Sequence, residues 1–175
     1  MKGKRYILVM IGFLVAVEQG IKLLINNRFL DADVPILKPF LYFDPMFNRD
    51  YSWFNSMLKL GVGKWLHVVL VTAMILFILL FYAFLHHHGK TSRLVDTSFA
   101  FLISGALCSW IDKVLWDGSL DYIELKGFFT FDLKDVYINV FIGLLLLMIA
   151  IDHQGMRKVD DRAVIETFLR FIRRK

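Results

Sequence analysis

Four long apolar runs constrain this chain more than anything else in its sequence. Residues 6–17 carry no charge, residues 65–85 are apolar apart from His67 and Thr72, residues 94–111 hold one charge at Asp96, and residues 136–151 hold none. A bilayer core of about 30 Å is crossed by about 20 helical residues, so each run spans once its flanks are added. The runs predict helices over about 6–25, 64–85, 94–115 and 133–151. A soluble domain of 175 residues that are 57% hydrophobic and 21% charged would lack the polar residues to cover its apolar surface. A cleaved leader is the other reading of the first run. It is set aside because no small-residue cleavage site follows Val17, and the chain runs on through Glu18 and Lys22. The expected fold class is an all-α membrane protein: a four-transmembrane-helix bundle forming one membrane domain over residues 1–175.

Charge orients the bundle. Lys2, Lys4 and Arg5 precede the first run, Lys90 and Arg93 lie between the second and third, and the tail is dense in Arg and Lys. These regions alternate correctly for one side, so both termini are expected in the cytoplasm. Residues 26–63 and the loop 117–134 then lie outside. The net charge of +5 is accounted for by topology and anionic headgroups, so membrane phospholipids are expected partners and nucleic acid is not. The one cysteine, Cys108, excludes an internal disulfide and a cysteine metal cluster.

Residues 26–63 hold all 3 prolines, Pro35, Pro39 and Pro45, among many aromatic rings. They read as a small extracytoplasmic β-containing cap at the outer interface. In the tail, residues 159–175, Val164, Ile165, Phe168, Leu169 and Ile172 recur at helical spacing beside Arg162, Arg170, Arg173 and Arg174. That pattern suits a basic amphipathic helix on the inner leaflet, and a frayed solvated tail is the alternative. His86, His87 and His88 are consecutive, so on a helix they diverge and cannot readily share an ion. A loop facing headgroups is the expected use. No metal and no cofactor are expected.

Ionisable groups in or near a membrane are costly and therefore point to function. Here they gather toward the outer face. Glu18 and Lys22 share a helix face, Asp112 and Lys113 end the third run, Asp121 lies in the loop, and Asp132, Lys134 and Asp135 open the fourth helix. Two carboxylates close enough to couple form an acid/base pair, one protonated while the other activates water. Such a pair hydrolyses amides without metal or covalent intermediate. Spacing alone does not bring the groups together, and acidic residues at helix ends also serve to solvate loops. The chain has no G-x-S-x-G elbow, H-E-x-x-H or Walker A loop. Ser104 and Ser109 read as packing or hydrogen-bonding residues rather than nucleophiles.

The motifs, taken in order, resemble those of the lipoprotein signal peptidases (signal peptidase II), four-helix aspartyl proteases of the bacterial membrane. Glu18-Gln19-Gly20-Ile21-Lys22 is similar to the family's D-Q-x-x-K, and the segment from Asn48 to Trp53 to its N-x-G-x-x-F. Gly105-Ala106-Leu107-Cys108-Ser109-Trp110-Ile111-Asp112-Lys113 resembles G-A-L-G-N-x-x-D-R. Asp121-Tyr122-Ile123 looks like the end of V-V-D-F-I, and Phe131-Asp132-Leu133-Lys134-Asp135 with Ile138 looks like F-N-x-A-D-x-x-I. The departures place Glu at 18, Asp at 50, Ser at 109, Lys at 113, Asp at 132 and Lys at 134, and the interval between the two acidic positions is shorter than usual. Lys113 keeps a cation but loses the bidentate fork of Arg.

The resemblance implies an intramembrane aspartyl endopeptidase that removes the signal peptide from a prolipoprotein carrying a diacylglyceryl-modified Cys. Asp121 and Asp135 would be the catalytic pair. Glu18, Lys22, Asn48, Ser109, Asp112, Lys113 and Asp132 would support the site or the substrate. It further implies the bacterial inner membrane, with the site at the extracytoplasmic face, and a monomer is the favoured state. The substitutions, Lys134 beside the pair above all, raise a second reading: a catalytically altered relative that binds lipid-modified or membrane partners without cleaving them. An unrelated small transporter or assembly subunit is the third, disfavoured by the lack of inverted repeats and broken helices.

Overall fold

A computed structural model of the chain describes residues 2–116, 118–158 and 161–173. Met1, Asp117, Val159, Asp160, Arg174 and Lys175 lie outside the described residues, so the first loop residue after the third run and the ends of the expected tail helix do too.

The four apolar runs form the helices α1 (Lys2–Arg28), α3 (Lys64–His87), α4 (Arg93–Leu115) and α5 (Leu133–Ala150). Each is long and apolar enough to cross a membrane, with spans Arg5–Arg28, Lys64–His87, Arg93–Leu115 and Leu133–Ala150. Their outer faces are apolar, as a hydrocarbon solvent demands: Leu8, Phe13, Trp65, Val69, Met74 and Leu146 are all exposed. Inside, Ile7, Ile78, Val95, Phe99, Ala100, Ile103 and Met148 form the core at the end of the bundle nearest the termini. Helix α4 is the most buried of the four membrane helices and packs against α1, α3 and α5. Gly105 permits this: a Cβ there would meet Ile138 Cγ1 at 2.8 Å and the Lys134 carbonyl at 3.1 Å. A small residue lets two membrane helices approach closely.

The other end of the bundle carries a four-stranded antiparallel sheet in the order β1 (Val34–Leu37), β2 (Leu41–Asn48), β3 (Ser119–Leu125), β4 (Phe129–Phe131). A short helix, α2 (Trp53–Leu58), follows β2, capped by Ser52, whose hydroxyl accepts the Asn55 N–H. The sequence places strands only in residues 26–63, yet half of the sheet comes from the loop after α4. The reason is a tertiary pairing: Phe47 pairs with Leu120 and Asn48 with Ser119 across β2 and β3. The register shifts between Phe43 and Met46, where Pro45 has no N–H to give the ladder. Gly118 makes the entry into β3 at φ +143°, with the Asn48 carbonyl 3.0 Å from where a Cβ would stand.

Beyond α5, a 3-10 turn (His153–Lys158) leads to the helix α6 (Asp161–Arg173). Phe168 packs edge-on against Phe77, Phe81 and Phe84, and Phe171 against Phe84, so α6 docks on the end of α3. Ile165, Leu169 and Ile172 remain exposed beside that contact.

Candidate active site

Strand β3 alternates, and the alternation sorts its side chains. Leu120 and Tyr122 pack with Ile25 beneath the sheet. Ser119 and Asp121, on the other face, enter a cavity of about 750 Å³ between the sheet and the ends of α3, α4 and α5. Asn48, Ser109, Lys113, Lys134 and Asp135 line the same cavity.

Asp135 comes from the first turn of α5. Asp132 caps that helix: its Oδ1 accepts the Asp135 N–H at 3.3 Å, and the Asp135 carboxylate accepts the Asp132 N–H at 3.3 Å. This reciprocal cap fixes both side chains. Carboxylate oxygens of Asp121, Asp132 and Asp135 all lie within 4.8 Å of one another. Asp121 and Asp135 are thereby close enough to hold one water between them, since two hydrogen bonds of about 3 Å span that gap.

Behind the cavity is a buried ionic network. Lys22 Nζ lies 3.2 Å from Glu18 Oε1, 2.6 Å from Asp112 Oδ2 and 2.6 Å from Asp132 Oδ2, and all four side chains are fully buried. Tyr122 donates its hydroxyl to Glu18 Oε2 at 3.0 Å and accepts the Leu133 N–H at 3.2 Å. Trp116 donates its indole N–H to Gln19 Oε1 at 2.9 Å, tying α1 to the end of α4. Helix α1, the sheet and the start of α5 are joined through these groups.

Lys134 bridges the network and the cavity. Its ammonium donates to Asp132, to Ser119 Oγ at 2.6 Å and to Asp121 Oδ1 at 3.3 Å, and lies 3.4 Å from Asp112 Oδ2. Ser119 Oγ has Asp112 Oδ2 at 3.0 Å and Asp121 Oδ1 at 2.7 Å, and its single proton serves one of them. Asn48 donates to Asp121 Oδ2 at 3.4 Å. Lys113 stands apart, donating to Ser109 Oγ at 2.8 Å.

Electrostatics separate the two acidic groups that lie outside the helices. Burial pushes Asp121 above the usual carboxylate range, against the pull of the Lys134 ammonium. Burial also pushes Asp132 up, but Lys134 and Lys22 outweigh it and hold that carboxyl at about 2. A trio of carboxylates is a donor set suited to a hard divalent cation. Here the Lys134 ammonium already supplies a cation to two of the three, Asp121 and Asp132.

All the site residues named from sequence are therefore drawn to one end of the bundle. Asn48, Ser109, Lys113, Asp121 and Asp135 line the cavity, and Glu18, Lys22, Asp112 and Asp132 buttress it from behind. Sequence reasoning missed Ser119 and Tyr122. Their signal was the alternation about Asp121: Ser119 shares its face, and Tyr122 lies on the opposite one.

A family model described as Signal peptidase (SPase) II matches residues 10–151. A lipoprotein signal peptidase of Halothermothrix orenii is 27% identical over 160 residues, covering 89% of this chain and 99% of that protein. One from Listeria monocytogenes serotype 4b is 24% identical over 150 residues, covering 83% and 93%. Among solved structures, one described as "Bacterial membrane enzyme structure by the in meso method at 2.3 A resolution" superposes with a TM-score of 0.65 at 18% identity, covering 89% of this chain and 93% of that one. At that identity the likeness speaks for the fold alone.

Proposed function

Because this chain belongs to the signal peptidase II family, we propose that it is an aspartic endopeptidase that cuts prolipoproteins just before a diacylglyceryl-modified Cys. The observation that carries this reading is the approach of Asp121 and Asp135 to within 4.8 Å on the wall of one cavity. One ionised carboxylate takes a proton from a water held between the pair, and the water oxygen attacks the scissile carbonyl. The other, protonated, carboxyl gives its proton to the amide nitrogen as the C–N bond breaks. Each carboxyl ends in its partner's starting state, so a proton exchange with solvent resets the pair.

The remaining residues have supporting parts in this scheme. Asn48 and Ser119 orient Asp121, the Asp132 cap orients Asp135, and Lys113 with Ser109 offers donors to the substrate backbone. Glu18, Lys22 and Asp112 hold α1, α4 and α5 in register. The apolar cavity side at Leu70 and Val71 on α3 suits the lipid anchor. Both termini lie in the cytoplasm of a bacterial inner membrane, the sheet lies at the extracytoplasmic face, and the working unit is a monomer.

The test is incubation of the purified protein with a prolipoprotein whose Cys is lipidated, beside the same precursor without lipid. The reading predicts release of the signal peptide from the lipidated precursor only. Release from neither, with the folded protein still binding lipidated precursor, favours the second reading, a relative that binds without cleaving. One observation favours that reading: the Lys134 ammonium lies against Asp121 and Asp132, which biases Asp121 toward its charged form. In that event Lys134→Ala with Asp132→Asn should restore cleavage, and continued inactivity would leave the binding role alone standing.

A further inference from the structure

A second cavity, of about 720 Å³, lies at the far end of the bundle between α3, α4, α5 and α6. Its wall is apolar, built from Phe81, Phe99, Phe141, Leu145 and Met148. Its lining also includes His88, Lys90 and His153, at the end where the chain turns between helices. We propose that this cavity binds one anionic phospholipid, with an acyl chain along the apolar wall and the headgroup phosphate at Lys90, His88 and His153.

Three observations lead there. The cavity is within the size range of small-molecule sites, and an apolar wall gives water no hydrogen-bond partners. A lipid chain in a cavity of that size gains dispersion contacts with the apolar wall, and in a membrane it is the apolar group at hand. Second, among the described residues the lining carries one cation, Lys90, and no acidic residue. Lys90 is exposed, and His153 Nε2 is joined to Ser92 Oγ at 2.9 Å, the residue that caps the N-terminus of α4. That terminus adds its partial positive charge. The acidic residue of the same turn, Asp96, is engaged by the Tyr82 hydroxyl at 2.8 Å.

Third, the cavity depends on the segment beyond the family match, which ends at residue 151. His153, Gln154, Met156, Val164 and Thr167 close one side of it. The aromatic contacts of Phe168 and Phe171 hold that side in place. The bare Ile165, Leu169 and Ile172 give α6 an apolar flank, which suits a helix lying among lipids.

The test measures lipid retained by the purified full-length protein in detergent, by native mass spectrometry. Phosphatidylglycerol and phosphatidylcholine of identical acyl chains are supplied equally. The proposal predicts one phosphatidylglycerol retained in preference by about five-fold, the effect of a single interfacial cation. Lys90→Glu should abolish that preference while leaving phosphatidylcholine unchanged, and it alters an exposed rim residue that cannot unfold the core. Leu145→Trp should displace both lipids. Inorganic phosphate should not compete at millimolar concentration. Equal retention of the two lipids, indifference to Lys90→Glu, displacement by phosphate alone, or a dimer that excludes lipid would each overturn the proposal.

Discussion

Lys22 is the residue on which most of the buried charge depends. It stands between three carboxylates, Glu18, Asp112 and Asp132, with no exposed surface. Removing one member of a buried ionic group leaves the others uncompensated, at a cost of about 3–5 kcal/mol. Lys22→Ala should therefore lower thermal stability in detergent and abolish any cleavage, while Lys59→Ala, at an exposed position, should do neither. Equal effects from both would deny the network its role. Asp132 supplies a pH test. Its folded-state pKa, about 2, lies below the ordinary value of 3.8, so its ionised form stabilises the fold fully above about pH 4. That contribution is lost as pH falls from 4 through 2. The stability difference between wild type and Asp132→Asn should be constant from pH 7 to 5 and shrink below 4; a difference that persists to pH 2 would contradict the ion-paired state. The pairing of Glu18 with Lys22 was legible in the i,i+4 spacing. The further partner of Lys22, Asp132, was not, because it approaches from 110 residues away in sequence.

At the scale of elements, the site rests on α4, α5 and β3. The first turn of α5 lies against Gly105, so a larger side chain there must push on Ile138 and the Lys134 backbone. Gly105→Val should cost about 1–3 kcal/mol from overpacking and, by shifting Asp135, reduce turnover more than substrate binding. A variant of unchanged melting temperature and turnover would show that α4 and α5 can separate freely. The four membrane helices were readable because lipid demands long apolar runs and nothing else in the chain resembles them. The strands β3 and β4 were not. In β3 both faces are buried, Leu120 and Tyr122 against the bundle and Ser119 and Asp121 in the cavity, so the polar/apolar alternation points to a solvated face that does not exist. The tail helix was readable from its spacing, but its docking on α3 through Phe168 and Phe171 depends on rings 84–91 residues away from them in number, such as Phe77 and Phe84.

For the whole molecule, the two proposed sites lie at opposite ends of the bundle, the acidic pair under the sheet and the lipid cavity under α6. In the proposed topology, argued from the charge bias, the second end faces the cytoplasm. With buried Cys108 replaced by Ala, single cysteines at Lys90 and at Glu166 should react with a membrane-impermeant maleimide only after the cells are opened, and one at Asp31 should react in intact cells. Labelling of Glu166 in intact cells would reverse the topology. The proposed joint action of Asp121 and Asp135 in hydrolysis can be measured by single-turnover cleavage of a lipidated prolipoprotein by wild type, Asp121→Asn and Asp135→Asn, with binding of the precursor followed on the same preparations. Loss of an acid or base that acts in the transition state removes about 10²–10⁴ in rate. Each Asn variant should lose at least that much while still binding the precursor. Cleavage within a few-fold of wild type by either variant would contradict it.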